Sequence, residues 1–116
     1  MNTNNKQPKK DVYWKNEQYR KNLETSQTIL DQLNQTKVNG FPLLKYIGTK
    51  SATFGDKTVV IQVAKNPKGI TAVKVEYMEA YDEYRIIFYK SICVTNTLEF
   101  IQFDNFDCIA RELGVL

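Results

Sequence analysis

The sequence predicts an α+β domain in which an antiparallel meander of four to five strands is packed by an N-terminal and a C-terminal helix. Apolar residues alternate with polar ones over residues 70–90, on both sides of a short polar turn, which is typical of a β-hairpin. Over residues 16–35 and 105–113 they recur every three to four positions, which is typical of amphipathic helices. The 116 residues suffice for one domain with one core.

The first ten residues contain Asn, Gln, Lys and Pro and a single apolar residue, the initiator Met. They cannot bury enough surface to offset the entropy of ordering, so we expect a mobile polar tail at 1–10 and a single domain at 11–116. Residues 1–22 carry a net charge of +4 and the remaining residues carry −1. The basic character therefore belongs to the N-terminal arm, whereas a folded nucleic-acid-binding domain carries positive charge on its own surface.

The helix at 16–35 has two possible forms. It is either one uninterrupted helix or a shorter one that begins with Thr25 or Ser26 as its N-cap. Asn and Gly at 39–40 close the helical region. The apolar stretch at 41–47 that follows is either a buried connector or a first strand.

The remaining strands are placed by alternation and turn chemistry. Residues 49–54 and 57–64 make a plausible first hairpin, because Gly and Asp lie between them. The central hairpin at 70–90 follows. Thr and Asn at 95–97 predict a turn before a last strand at 98–103. The sequence thus predicts consecutive antiparallel strands.

The central hairpin has one register that satisfies both of its faces. With a four-residue loop at 79–82, Glu76 lies opposite Arg85 on the outer face, and a slip by one residue would lose this match. The large apolar residues then pair on the other face: Val73 with Phe88, Val75 with Ile86, and Tyr77 with Tyr84. Further residues expected to point inward are Leu30, Leu33, Val59, Ile61, Val63, Phe106 and Ile109. Asp104 is expected to cap the last helix and Gly114 to end it.

The sequence lacks the residues that several kinds of catalytic and metal site require. Without histidine, Cys93 and Cys108 cannot complete a zinc site of the usual Cys and His set, and we expect both to be reduced, small buried hydrophobes. Ser-His-Asp and Cys-His arrangements are excluded, and no phosphate-binding glycine motif is present. The acidic residues Asp82, Asp104 and Asp107 suit turns and a helix N-terminus better than acid-base catalysis. We therefore expect no enzyme, cofactor or metal.

The N-terminal arm is the first candidate for partner binding. It places cations beside aromatic rings: Tyr13, Trp14, Lys15, Tyr19 and Arg20. Such a mixture suits single-stranded nucleic acid or an acidic partner surface. Alternatively, the rings pack the arm onto the domain while the lysines face water.

The outer face of the central hairpin is the second candidate. It carries Lys74, Arg85, Ile87 and Tyr89. Ile87 and Tyr89 are too apolar for a fully solvated surface if both helices cover the other side of the sheet. Either one helix wraps onto this face or a partner covers it.

Several segments resemble a group of small uncharacterised bacteriophage and mobile-element proteins. They are TILDQL at 28–33, IGTK at 47–50, KNPKGITAVKV at 65–75, YDEYRIIF at 81–88 and DNFDCIARELG at 104–114. The resemblance implies a mobile-element origin and a compact α+β domain, and it implies no activity or catalytic residues. The chain also has no signal-peptide core and no apolar run of membrane-spanning length. We therefore expect a cytoplasmic protein that binds a protein of the host or of the element, with nucleic-acid binding through the arm as the alternative.

Overall fold

The computed structural model describes the backbone of residues 3–116 and the side chains of residues 17–116. Its helices are α1 at Thr3–Gln35, α2 at Leu43–Tyr46 and α3 at Cys108–Glu112, with a 3-10 turn at Phe103–Asn105. Its strands are β1 at Lys37–Val38, β2 at Phe41–Pro42, β3 at Thr49–Gly55, β4 at Thr58–Val63, β5 at Ala72–Met78, β6 at Glu83–Lys90 and β7 at Cys93–Ile101. The predicted α+β class is confirmed.

Strands β3 to β7 form one antiparallel sheet in which each strand pairs with its neighbours in sequence. The predicted meander is therefore confirmed, with five strands. Hairpin β5–β6 has the predicted register, because Glu76 lies opposite Arg85 and the pair Met78 and Glu83 closes the four-residue loop. Four of the residues predicted to point inward from this hairpin are fully buried: Val73, Val75, Ile86 and Phe88.

Helix α1 begins at Thr3, earlier than predicted, and continues to Gln35 without a break. Thr25 and Ser26 do not cap a second helix, because α1 continues through both residues. The Thr25 hydroxyl donates to the Lys21 carbonyl, and the Ser26 hydroxyl lies within hydrogen-bonding distance of the Asn22 carbonyl. The helix includes most of the segment that the sequence predicts to be a polar tail. The mobility of that tail stays a prediction.

The buried stripe of α1 consists of Ser26, Ile29 and Leu33, none of which has exposed surface. Leu30, predicted to point inward, is only partly buried beside this stripe. The Ser26 hydroxyl lies 2.9 Å from the carbonyl oxygen of Gly55 and can hydrogen-bond to it. This contact lies on the same side of the helix as the buried Ile29 and Leu33.

The stretch at 41–47 combines both alternatives that the sequence left open, because it begins with the two-residue strand β2, whose Phe41 is 54% exposed, and continues into the partly buried turn α2. Asn39 and Gly40 have φ angles of +51° and +84°, so β1 and β2 are joined by a left-handed two-residue turn of the kind that Asn-Gly favours. The single turn α2 then buries Leu43 completely and is followed by the buried Ile47.

The predicted turn at 95–97 is wrong, because β7 runs through it. The chain reverses at Ser91 and Ile92 instead, with Lys90 opposite Cys93. Strand β7 lies at an edge of the sheet, where polar residues are tolerated because one side faces solvent. Cys93 is consequently exposed and not the small buried hydrophobe that was expected.

The closing helix α3 is shorter than predicted. Asp104 lies inside the 3-10 turn and does not cap α3. Asp107, at the N-terminus of α3, pairs with Arg111 at 2.7 Å. Gly114 ends the helix as predicted, with φ at +77° and its N–H donating to the Arg111 carbonyl.

The core lies between the helices and one face of the sheet. The predicted inward residues are buried there, except Leu30 and Tyr77, which are partly buried and pack against the core. The largest side chains without exposed surface are Phe88, Phe106, Ile29, Leu33, Leu43, Ile61, Ile86, Ile109 and Leu113. Cys108 is half-buried at its margin, and this burial raises the pKa of its thiol to about 11.

Candidate interaction face of the sheet

The face of the sheet that is turned away from the core is called the outer face here. Its central positions are Val60, Lys74, Glu76, Arg85, Ile87 and Tyr89. They alternate along β4, β5 and β6 with buried residues, since successive side chains of a strand point to opposite faces. Val60, Ile87 and Tyr89 belong neither to the core nor to the side chains packed against it. Within residues 17–116, the hydrophobic side chains of the helices pack on the other face.

Apolar side chains cross the middle of the outer face. Val60 and Ile87 lie on either side of Lys74, since Lys74 is opposite both of them in the strand register. Tyr89 lies two residues further along β6, opposite Ala72. Val60, Ile87 and Tyr89 are partly buried by their neighbours, and none of them is among the exposed large hydrophobic side chains, so each offers only part of its surface for contact.

The charged residues of the outer face form one network. Arg85 donates to Glu99 at 2.8 Å and to Glu76 at 3.4 Å, and Lys74 approaches Glu76 at 3.4 Å. The hydrogen bond with Glu99 raises the pKa of the Arg85 guanidinium. Two cations and two carboxylates therefore neutralise one another. Because these side chains are partly solvated, such pairs add little to stability.

The structure brings together the four sheet residues proposed from sequence, Lys74, Arg85, Ile87 and Tyr89, as the register requires. Sequence reasoning missed Val60 and Glu99. The signal for Val60 was its place between the inward residues of β4. Glu99 could not be assigned because the course of the last strand was predicted incorrectly.

The two described arm residues, Tyr19 and Arg20, are not part of the outer face. The side chains of Tyr13, Trp14 and Lys15 lie outside the described residues. Tyr19 is 64% exposed and, with the inward-facing Phe54, lines a cavity of about 410 Å³ on the helix side of the sheet. Arg20 is exposed and pairs with Glu17 at 2.7 Å.

The loop of the central hairpin contains a second polar arrangement. The hydroxyl of Tyr77 donates to the carboxylate of Asp82 at 2.6 Å. This hydrogen bond is the largest cause that raises the pKa of Tyr77 to about 12. The Asp82 side chain thus bonds the Tyr77 side chain, whereas the sequence predicted a bond to the backbone of its own turn. Among the side chains described, no three His, Cys, Asp or Glu residues form a group that could hold a metal ion.

Comparison of the chain with protein-family models, with curated proteins and with solved structures finds no match. The resemblance to phage and mobile-element proteins therefore stays a prediction. In the part of the chain that the structure describes, no helix is both long and apolar enough to cross a membrane. What the chain binds must accordingly be argued from its own surface.

Proposed function

We propose that this chain is a non-enzymatic accessory protein of a bacteriophage or mobile element that acts in the host cytoplasm by binding a protein of the host or of the element. The outer face of the sheet is the binding surface. The observation that carries this proposal is the combination, on that face, of partly exposed apolar side chains that lie outside the core with charges that are paired within the protein. The origin rests on the sequence resemblance alone.

The composition of the outer face matches what protein interfaces use. Their centres are enriched in aromatic residues and arginine and depleted of unpaired charge. Ile87, Tyr89 and Val60 supply apolar area, and Arg85 supplies a guanidinium that is already oriented by Glu99. A partner that covers this face would bury the apolar side chains without having to neutralise isolated charges.

The same charge pairing argues against nucleic acid on this face. Binding to phosphates depends on Lys and Arg that are not neutralised by the protein itself. Lys74 and Arg85 both contact Glu76, and Arg85 also contacts Glu99. The alternative function, nucleic-acid binding through the arm, is favoured by the net charge of +4 in residues 1–22 and by the exposed ring of Tyr19.

A comparative pull-down tests the proposal. The full chain serves as bait in nuclease-treated bacterial lysate, beside Ile87→Glu and a control, Asn34→Glu. Glutamate at position 87 would lie opposite Lys74, so the sheet tolerates it, while Asn34 is exposed on α1. We expect the native chain and the control to retain the same protein, and Ile87→Glu to lose it. Equal capture by all three baits would contradict binding through the outer face.

A titration with labelled single- and double-stranded nucleic acid separates the alternative. The full chain is compared at two salt concentrations with a variant in which Lys15, Arg20 and Lys21 are changed to Gln. Our proposal expects no binding at physiological salt. Binding by the native chain that the triple variant loses would establish the arm as a nucleic-acid site.

A further inference from the structure

A polar groove lies on the helix side of the sheet, between α1 and the loop of hairpin β5–β6. Its volume is about 250 Å³, which is the size of one long side chain or a small amine. Its walls are Thr25, Thr28, Gln32, Tyr77, Asp82 and Tyr84. It is separate from the outer face, so the inference below does not depend on the proposed function.

Each of the four hydroxyl hydrogens in the groove is directed to an acceptor of the protein. Thr25 and Thr28 donate to the helix carbonyls of Lys21 and Glu24 at 3.2 and 3.0 Å, Tyr77 donates to Asp82 at 2.6 Å, and Tyr84 donates to the side-chain oxygen of Gln32 at 2.5 Å. A hydroxyl has one hydrogen and two lone pairs. The oxygens therefore offer a ligand only lone pairs, and the Gln32 amide nitrogen is the one side-chain donor left in the lining.

The negative charge of the groove also favours a ligand that donates hydrogen bonds. Asp82 accepts from Tyr77 through one carboxylate oxygen and keeps the second for a ligand, and it forms no ion pair among the described side chains. The rings of Tyr77 and Tyr84 both line the groove, and their centroids lie 5.5 Å apart. With its pKa raised to about 12, Tyr77 stays protonated at neutral pH and continues to donate.

We propose that this groove binds a cationic N–H donor, an alkylammonium or guanidinium group, held by Asp82, the lone pairs of the hydroxyls and the two tyrosine rings. A neutral or anionic ligand would supply too few hydrogen-bond donors for the several acceptors and the carboxylate of the groove. The chemistry is shared by a lysine or arginine side chain of a protein and by a free polyamine. The test therefore contains an arm for each source.

The experiment follows the amide and side-chain resonances of the full-length, isotope-labelled protein by NMR. The probes are spermidine and N-acetylargininamide, and N-acetylcitrullinamide is the uncharged control of matched shape. We expect saturable shifts at Thr25, Thr28 and the Gln32 amide with one or both cations, and none with the citrulline compound. The cation that binds more tightly identifies the source.

Two variants locate the site. Asp82→Asn should weaken binding at least tenfold, and its fold should be kept because Asn tolerates the φ of +53° at this position. Glu83→Gln removes the same charge from the neighbouring residue, whose side chain points to the outer face, and should change the affinity less than threefold. Thr28→Val removes one acceptor without changing shape and should weaken binding by about two- to tenfold.

Three results would overturn the proposal. The first is the absence of saturable shifts at the groove with either cation. The second is an equal response to the citrulline compound, which would show that charge is not recognised. The third is equal weakening by Asp82→Asn and Glu83→Gln, which would indicate attraction to the general charge of the surface. Spectra of each variant without ligand confirm that its fold is native.

Discussion

Phe88 is fully buried and lies opposite Val73 in the centre of the sheet. We expect Phe88→Ala to lower the free energy of unfolding by about 3–5 kcal/mol, because the lost apolar contacts leave a cavity. Urea denaturation measures this loss. Phe100→Ala is the matched control, since Phe100 is 53% exposed, and it should cost less than about 1 kcal/mol. Similar losses in the two variants would contradict the face assignment of β6.

Tyr77 provides a pH-dependent prediction. Its pKa is raised to about 12 in the folded protein, first by the hydrogen bond to Asp82. A raised pKa means that the contribution of Tyr77 to stability is complete below its ordinary pKa of about 10 and is lost as pH rises toward 12. The tyrosinate absorbance of the native chain minus that of Tyr77→Phe should show this late titration. In Asp82→Asn the titration should move to lower pH, and an unchanged midpoint would contradict the assigned cause.

At the scale of elements, Ser26 joins helix α1 to the turn between β3 and β4. Its buried hydroxyl lies within hydrogen-bonding distance of both the Asn22 and the Gly55 carbonyl oxygens. Ser26→Ala should therefore lower the free energy of unfolding by about 1–3 kcal/mol, because it removes the link to Gly55. Thr25→Ala is the control, since Thr25 bonds only within its own helix. Thermal unfolding should separate the two variants, and equal midpoints would show that the link adds no stability.

The central hairpin could be predicted from sequence because its information is local. Alternation, a polar loop and the pairing of Glu76 with Arg85 all require one register. The last strand could not, since the polar residues at 95–97 are equally compatible with a turn and with an edge strand, and only the pairing of β7 with β6 decides between them. The buried side of α1 also makes a distant contact, between Ser26 and Gly55.

The same difference between local and distant information applies to the candidate surfaces. Lys74, Arg85, Ile87 and Tyr89 follow from the register of one hairpin, so the sequence indicated them. The groove was not predicted because it joins residues of α1 to a hairpin some fifty positions later, as Gln32 and Tyr84 show. The sequence pattern also does not show which hydroxyl hydrogens already form hydrogen bonds within the protein.

For the whole molecule, the neutral outer face predicts a weak salt dependence. Its cations are paired within the protein, so binding of the captured protein should release few counterions. Raising salt from about 50 to 200 mM should change the dissociation constant less than about threefold, whereas six to ten phosphate contacts would change it about 10³–10⁵-fold. Calorimetry with the purified partner measures this. A loss of the larger size would contradict docking of the partner on a face whose charges are already paired.

The central claim is that a protein partner docks on the outer face of the sheet. Methyl-labelled NMR of the full chain, titrated with the partner captured in the pull-down, tests it most directly, because Val60 and Ile87 are methyl-bearing residues of that face. We expect their signals to shift or broaden first, while those of the buried Val73 and Ile29 change little. Perturbations confined to α1, with Val60 and Ile87 unchanged at saturation, would contradict the claim.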